Sequence, residues 1–196
     1  MATSVTSSAC ASTRDQLIAH AQTLISKRGY NGFSYRDLAE HVGVKTASIH
    51  YHFPQKDDLL QAAVVDYTAK ITRALHAIDD SLPAVERLER YAKLFVGSPA
   101  DQICMCGMLA ADFASVPEPV RAALKAFFRL HENWLAAVIA DGKREGTIKS
   151  WSDPQSSART AFAAFQGALL ASRLFQANDR VCEVLQAICV RVEQPA

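Results

Sequence analysis

The chain lacks the features that mark a secreted, membrane-spanning or disulfide-bonded protein. No uninterrupted apolar run approaches the roughly 18 residues of a transmembrane helix, so none is predicted. The opening MATSVTSSAC has neither the charged nor the apolar segment of a secretory signal. The five cysteines are an odd number without a dense disulfide framework, which favours a reducing cytoplasm.

Signals of catalysis and of metal binding are also missing. The sequence has no recognisable nucleophile–base pair, no glycine-rich phosphate loop and no H-E-x-x-H motif. We therefore expect neither an enzyme nor a protein with a metal or another cofactor. The composition, with 49% hydrophobic and 21% charged residues, is that of a globular protein.

Strand signals are scarce, whereas alanine is plentiful, which predicts an all-α fold. Ser34 and Asp37 form a capping-box-like start, while Gly29 and Gly43 are helix stops. The clearest loop is GKREGTIKSW at 142–151. Helices are expected at about 12–28, 35–42, 45–53, 56–78, 84–96, 100–114, 118–142, 154–176 and 179–192.

Short helices in the first quarter and long helices afterwards indicate a small head on a larger helical body. Residues 1–56 carry six basic and three acidic side chains, a net charge of +3, whereas the remainder carries −2. A basic head on a slightly acidic body is a mild indication that the head binds a polyanion.

The stretch LAEHVGVKTASI, residues 38–49, fits a helix-turn-helix. Ala39 is small where two helices approach, Gly43 permits a tight turn, and Ile49 anchors the second helix. A simple αα-hairpin is the alternative, because the spacing alone does not exclude it. In a helix-turn-helix, base edges in the major groove would meet Lys45, Thr46, Ala47 and Ser48.

Two histidines stand two residues apart in KTASIHYHF, residues 45–53. On an α-helix, residues at this spacing are rotated by about 200°, so His50 and His52 cannot chelate one metal. Instead, we expect His50 or Tyr51 to donate to a DNA phosphate, with Lys56 as a nearby cation. Packing or plain solvent exposure remains the alternative for each histidine.

The passage GYNGFSYRDLAEHVGVKTASIHYHFPQKDDLL, residues 29–60, resembles the N-terminal domain of the TetR (tetracycline repressor) family of bacterial regulators. The resemblance is strong over residues 14–60 and one of helical architecture beyond them. It implies that DNA is contacted by Ser34, Tyr35, Arg36, Lys45, Thr46, Ser48, His50 and Lys56. His50 stands where the family commonly has a phosphate-contacting tyrosine. Lys45 stands where a serine cap is frequent, so Thr46 is the expected cap.

The resemblance implies a homodimer formed by the last two helices. TAFAAFQGALLASRLF, residues 160–175, supports this because it is apolar on more than one face, and VCEVLQAICV, residues 181–190, adds a second apolar stripe. An ordinary central helix is the alternative. We therefore predict a disordered tail at 1–11, a DNA-binding domain at 12–54, and an effector-binding and dimerisation domain at 55–196.

The middle helices are expected to line a pocket for a small-molecule effector, with the helix that begins near Lys56 transmitting its binding to the head. Aromatic and methionine side chains at helical spacing are equally compatible with a plain core. The candidates are Tyr67, Tyr91, Phe95, Met105, Met108, Phe113, Phe127, Phe128, Trp134 and Phe165.

The segment CMCGM, residues 104–108, offers a second type of signal. Cys104 and Cys106 diverge on a helix and cannot readily bridge each other, although one thiolate could sense oxidants or electrophiles. Buried structural cysteines are the simpler interpretation.

The expected function is a cytoplasmic bacterial repressor that leaves a palindromic operator when an effector binds. The alternatives are a cysteine-based sensing repressor and a helical scaffold that no longer recognises DNA.

Overall fold

The computed structural model describes residues 12–96, 102–148, 153–177 and 179–189. Over these ranges the chain is built from α-helices, and the only extended pairing is an isolated bridge between Ile148 and Cys189. A short 3-10 helix, Phe113–Ser115, follows α6. The α-helices are α1 Thr13–Arg28, α2 Tyr35–Val42, α3 Thr46–His52, α4 Lys56–His76, α5 Ala84–Val96, α6 Met105–Ala111, α7 Glu118–Glu145, α8 Pro154–Phe175 and α9 Arg180–Ile188.

The head consists of α1, α2 and α3, and local capping sets its helix ends. Ser34 accepts a hydrogen bond from the backbone N–H of Asp37, whose carboxylate accepts in return from the Ser34 backbone N–H at 2.7 Å. Gly29 and Gly43 end α1 and α2 with φ of 77° and 76°, which side chains with a Cβ rarely adopt. These predicted caps and stops are confirmed.

Helix α4 joins the head to the body. Its first half buries Leu59, Leu60, Ala63 and Val64. Across the α1–α4 contact, the Gln22 amide donates to the Ala63 carbonyl at 2.9 Å and to the Asp66 carboxylate at 2.8 Å. Because one continuous helix packs against α1 and then against α7, a movement in the body can reach the head through it.

Two predicted boundaries in the body were wrong. The expected helix at 100–114 is α6, which is shorter and ends at Ala111, while residues 97–101 lie outside the described ranges. Helix α7 continues beyond the expected end at 142 to Glu145, because Gly146 supplies the left-handed cap at φ 72°. Gly142 instead lies where a Cβ would collide with Ile148, so this glycine allows close packing.

Several predicted segments fall outside the described residues. These are the tail at 1–11, the part of the expected loop at 149–151, and residues 190–192 of the last predicted helix, which already ends at Ile188 within the described part. Of the helices in the described part of the chain, none is both long enough and apolar enough to cross a membrane.

Candidate DNA-binding surface and effector cavity

The turn between α2 and α3 has the geometry that the sequence spacing predicts. The backbone N–H groups of Gly43 and Val44 both donate to the Ala39 carbonyl, at 2.9 and 3.1 Å. Leu38 and Ile49 are fully buried on either side of the turn. The left-handed glycine therefore lets the chain reverse direction while both helices keep an apolar anchor in the core.

The N-terminal part of α3 faces solvent. Lys45, Thr46 and Ala47 are exposed, Ser48 is half-buried, and Tyr51 is 84% exposed. An exposed tyrosine of this size suits a surface that another molecule covers. These residues form one continuous surface for a ligand outside the protein, and their contacts with DNA stay a prediction.

The prediction that Thr46 caps α3 was wrong. Lys45 is the N-cap, with the extended backbone that this position requires, and its carbonyl accepts from the Ser48 N–H at 2.9 Å. Its side chain makes no cap hydrogen bond. Thr46 is consequently the first helical residue, and the Lys45 ammonium is not used for capping.

Tyr35 and Arg36 have different surroundings at the start of α2. The Tyr35 hydroxyl lies 2.9 Å from the Phe53 carbonyl and 2.7 Å from the Gln55 carbonyl, which ties α2 to the end of α3. Burial, together with the nearby carboxylates, raises the pKa of Tyr35 to about 12. Arg36 is exposed and pairs with Glu40 at 3.3 Å, a weak surface contact that DNA can displace.

Lys56 turns inward, toward the loop between α1 and α2. Its ammonium donates to the carbonyls of Tyr30 and Phe33 at 2.5 and 2.6 Å. It also lies 4.4 and 4.2 Å from the centroids of the two rings, and burial lowers its pKa. Lys56 therefore holds the loop against α4, and a direct phosphate contact stays a prediction.

The two histidines of α3 pack against different neighbours. The ring of His50 lies 4.9 Å from that of Tyr35, and the ring of His52 lies 5.1 Å from that of Tyr51. In the described ranges, no cluster of three or more His, Cys, Asp or Glu side chains has the arrangement of a metal site.

A small cavity lies between α4, α5, α7 and α8, beside the segment 102–104. Its volume is about 20 Å³, enough for one water molecule. Among the described residues, no charged side chain lines it. Its walls are Tyr67, Ile71, Leu94, Phe95, Gln102, Ile103, Cys104, Phe127, His131 and Leu169.

His131 is a buried polar group of this cavity, and the sequence did not reveal it. Its side chain is 1% exposed, and its Nδ1 lies 2.9 Å from the Tyr91 hydroxyl. Within the described part of the chain, its Nε2 has no hydrogen-bond partner. The ring is stacked 4.6 Å from Phe162 and lies 4.5 Å from Phe127. A buried, half-satisfied imidazole in an aromatic wall is costly, and such groups concentrate at binding sites.

Burial lowers the pKa of His131 to about 3, which predicts a pH-dependent stability. Between pH 6.5 and pH 3 the unfolded chain binds a proton at this histidine that the folded chain excludes, so acidification favours unfolding. We expect the wild type to lose about 2 kcal/mol of unfolding free energy from this group between neutral pH and pH 5. Urea titrations at several pH values measure it.

The control is His131→Phe, in which this part of the pH dependence should disappear. If the variant and the wild type lost the same unfolding free energy between pH 7 and pH 5, the neutral buried imidazole would be contradicted.

The predicted pocket residues separate into four groups. Tyr67, Phe95 and Phe127 line the cavity. Tyr91, Trp134 and Phe165 form the aromatic cluster behind it, with Tyr91 5.1 Å from Trp134 and 5.4 Å from Phe165. Phe113 and Phe128 line a separate open groove, Met105 is fully buried in the core, and Met108 is half-buried.

An apolar stripe on α8 is left uncovered. Leu170 is 59% exposed, Leu174 is 76% exposed and Phe175 is 62% exposed. Gly167, one turn before Leu170, faces open space. Arg173 of the same helix donates to the Lys27 carbonyl at 2.5 Å, which ties α8 to the end of α1.

Two family profiles match most of the chain. The profile described as "Bacterial regulatory proteins, tetR family" matches residues 17–63. The one described as "Tetracyclin repressor-like, C-terminal domain" matches residues 84–188. The chain belongs to the TetR family. This membership identifies α2 and α3 as a helix-turn-helix rather than a simple αα-hairpin. It also confirms the predicted all-α fold and the predicted function as a DNA-binding transcription regulator.

Individual TetR-family relatives match nearly the whole chain. The HTH-type transcriptional repressor DhaR of Mycobacterium sp. (strain GP1) is 23% identical over 180 residues, 89% of each chain. A TetR-family regulator from Agrobacterium tumefaciens is 30% identical with a TM-score of 0.83, covering 90% of this chain and 97% of that one. A TetR regulator from Legionella pneumophila is 34% identical with a TM-score of 0.81, covering 92% and 99%.

In this TetR-family chain, a second segment besides α4 contacts both the cavity and the head. Ile103 lines the cavity, and its N–H donates to the Ser26 carbonyl at 3.3 Å. Further along, the Asp112 carboxylate accepts from the Tyr30 N–H at 2.9 Å. The sequence predicted α4 alone as the link, because contacts between α6 and α1 carry no local sequence signal.

The two cysteines of CMCGM are both buried. Burial raises the pKa of Cys106, with Cys104 adding to the effect, so Cys106 is a neutral thiol. Cys104 is buried beside the Tyr67 hydroxyl, which lies 3.9 Å from its Sγ. Because thiol sensing requires an accessible thiolate, these surroundings fit structural cysteines better than a sensor.

Proposed function

We propose that this protein is a homodimeric repressor that binds a palindromic DNA operator in the bacterial cytoplasm and leaves it when a small molecule enters the cavity beside His131. The observation that carries the proposal is the exposed N-terminal surface of α3, on a helix-turn-helix whose two helices are anchored in the core by Leu38 and Ile49. The named repressor DhaR, similar over 89% of this chain, supports the repressing direction.

DNA recognition follows from the placement of α3. Inserted into the major groove, its first turn would meet base edges through Lys45, Thr46, Ala47 and Ser48. Ser34, Tyr35, Arg36, His50 and Tyr51 flank that turn and would position the sugar-phosphate backbone. Lys56 acts on this surface by holding the α1–α2 loop.

Dimerisation through α8 and α9 supplies a second DNA-binding head for the second half-site of the operator. The exposed apolar stripe on α8 is the kind of surface that another subunit covers. A two-fold dimer places two copies of α3 against two inverted half-sites, which is why the operator is expected to be palindromic.

Release requires the effector to favour a conformation that cannot bind DNA. Widening the small cavity would displace Tyr67 on α4 or Ile103 next to α6, and both elements contact the head. We retain the division into a head at 12–54 and a body at 55–196, in which α4 is the first helix of the body and packs against α1 of the head.

Operator binding by gel shift, using DNA from upstream of the protein's own gene, tests the proposal. We expect binding to fall steeply with salt. Arg36→Ala should weaken it several-fold and reduce the log–log salt slope by about 1, because one phosphate contact is lost.

Glu40→Gln is the matched control, because it frees Arg36 from its ion pair and should leave affinity equal or higher. Lys93→Ala, on an exposed position of α5 in the body, should change neither affinity nor slope. Unchanged DNA binding in Arg36→Ala would remove this residue from the contact surface.

A further inference from the structure

We propose that the cavity beside His131 selects a neutral, flat aromatic molecule with one carbonyl oxygen, which accepts a hydrogen bond from His131 Nε2. The inference rests on the proposed effector-binding function and specifies the chemistry of its ligand.

The first step concerns which nitrogen of His131 carries the proton. If the Tyr91 hydroxyl donates to Nδ1, the one donor left without a partner is Nε2–H. If Nδ1–H donated to Tyr91 instead, both the phenolic proton and the Nε2 lone pair would be unpaired in a buried site. The first arrangement leaves fewer polar groups unsatisfied, so Nε2 is a donor in need of an acceptor.

The second step concerns charge. The cavity lining contains no Asp, Glu, Lys or Arg. The titratable groups that face His131 or share its cavity are Tyr67, Tyr91 and Cys104. Burial raises the pKa values of both tyrosines and lowers that of His131 to about 3, so the two tyrosines and His131 are neutral near pH 7. A charged ligand would lose its hydration without a counter-charge, which excludes carboxylates and ammonium ions.

The third step concerns shape. Phe162 stacks on the His131 ring with an angle of 11° between their planes, and Phe127 meets its edge. Phe95 and Phe165, at an angle of 6°, form a second stacked pair behind. The rings of Tyr67, Phe95 and Phe127 line the cavity itself, and flat aromatic ligands make stacked and edge-to-face contacts with such rings. A carbonyl oxygen is an acceptor that such a neutral molecule can present in the plane of its ring.

Because the cavity is small, a ligand can bind only if the surrounding side chains move. At about 20 Å³ it accommodates one water molecule, so an aromatic ring must displace neighbouring side chains. Tyr67, Ile71 and Ile103 are among the half-buried wall residues, which are less tightly enclosed than the buried ones and can be displaced more easily. Ile103 is also hydrogen-bonded through its backbone to Ser26 of α1, so accommodation of the ligand strains a contact with the head.

Three probes of nearly equal shape test the inference: acetophenone, its isostere α-methylstyrene, and benzoate. We expect calorimetric titration of the full chain at pH 7.5 to show an affinity for acetophenone at least about tenfold higher than that for α-methylstyrene. Benzoate should not bind. In His131→Phe, which keeps an aromatic ring at this position, the ratio between the first two should fall to within about twofold.

A second measurement does not depend on a variant that folds. In wild-type protein with 15N-labelled histidine, acetophenone should shift the Nε2–H signal of His131 while α-methylstyrene leaves the hydrogen bonding of that proton unchanged. Four outcomes would each overturn the inference. The affinities for acetophenone and α-methylstyrene could be equal, benzoate could bind more tightly than acetophenone, or none of the probes could bind at millimolar concentration. In the fourth, the Nε2–H would stay hydrogen-bonded to a water molecule while acetophenone is bound.

These binding measurements contain no DNA, so their failure differs from failure of the proposed function. A protein that binds and leaves its operator but does not distinguish acetophenone from its isostere retains the function and loses this ligand class. A protein that selects acetophenone but binds no operator retains the ligand class and loses the repressor role.

Discussion

Leu170→Glu combined with Leu174→Glu is expected to convert the protein into monomers and to weaken operator binding at least about a hundredfold. Both side chains are largely exposed on α8, and both lie on the stripe that begins at Gly167. Two carboxylates in an apolar interface would be buried without partners, which opposes association. A monomer then meets one half-site at a time and loses the effective concentration that the second head supplies.

Light scattering gives the oligomeric state of this double variant, and gel shifts on a whole operator and on a half-site give its affinity. The half-site affinity should change little, because the helix-turn-helix is untouched. Val65→Glu is the matched control, since it places a carboxylate on an exposed apolar position of α4. A double variant that remained a dimer at micromolar concentration would contradict the proposed interface.

Lys56→Met is expected to destabilise the protein by about 3 kcal/mol, and to reduce DNA binding through that loss of structure. The ammonium donates to two carbonyls and contacts the rings of Tyr30 and Phe33. Hydrogen bonds with a charged donor contribute about 1.5–3 kcal/mol each, and because Lys56 is only half-buried the lower end applies, so the two bonds together contribute about 3 kcal/mol. Methionine fills similar volume but donates nothing, so both carbonyls lose their charged partner.

Lys45→Met provides the contrast. The Lys45 side chain is exposed and makes no cap hydrogen bond, so its loss should alter unfolding free energy by less than about 0.5 kcal/mol. Its operator affinity should nevertheless fall, with a shallower salt slope. Thermal melts and gel shifts on both variants distinguish a role in stability from a role in DNA binding. A Lys56→Met protein with a wild-type melt but weakened DNA binding would show that Lys56 contacts DNA directly.

The head was predictable because its determinants are local. Ser34 and Asp37 cap a helix through bonds that span three residues, and Gly43 ends it through a bond to Ala39. Ile49 needs only the right spacing from that turn to reach the core. Such interactions leave a pattern in consecutive residues, and that pattern led to the TetR family.

The inward turn of Lys56 shows where local reasoning stops. In sequence, a lysine at the start of a helix beside a DNA-binding motif predicts a phosphate contact, which stays a prediction, and does not indicate the bonds that it makes within the protein. Its partners are carbonyls 26 and 23 residues earlier, and nothing in the flanking sequence marks them. The wrong end of α7 has a similar origin, because only packing against Ile148 distinguishes Gly142 from a turn glycine.

The sequence by itself therefore determined the helical fold, the helix-turn-helix and the exposed start of α3, because backbone capping and apolar spacing act over a few residues. Only the tertiary structure decided which aromatic side chains surround the cavity, and that His131 is its unsatisfied polar group. His131 meets Tyr91 across 40 residues and Phe162 on another helix. Those contacts depend on how α5, α7 and α8 pack, and the residues next to His131 in the sequence do not indicate which side chains of other helices it will contact.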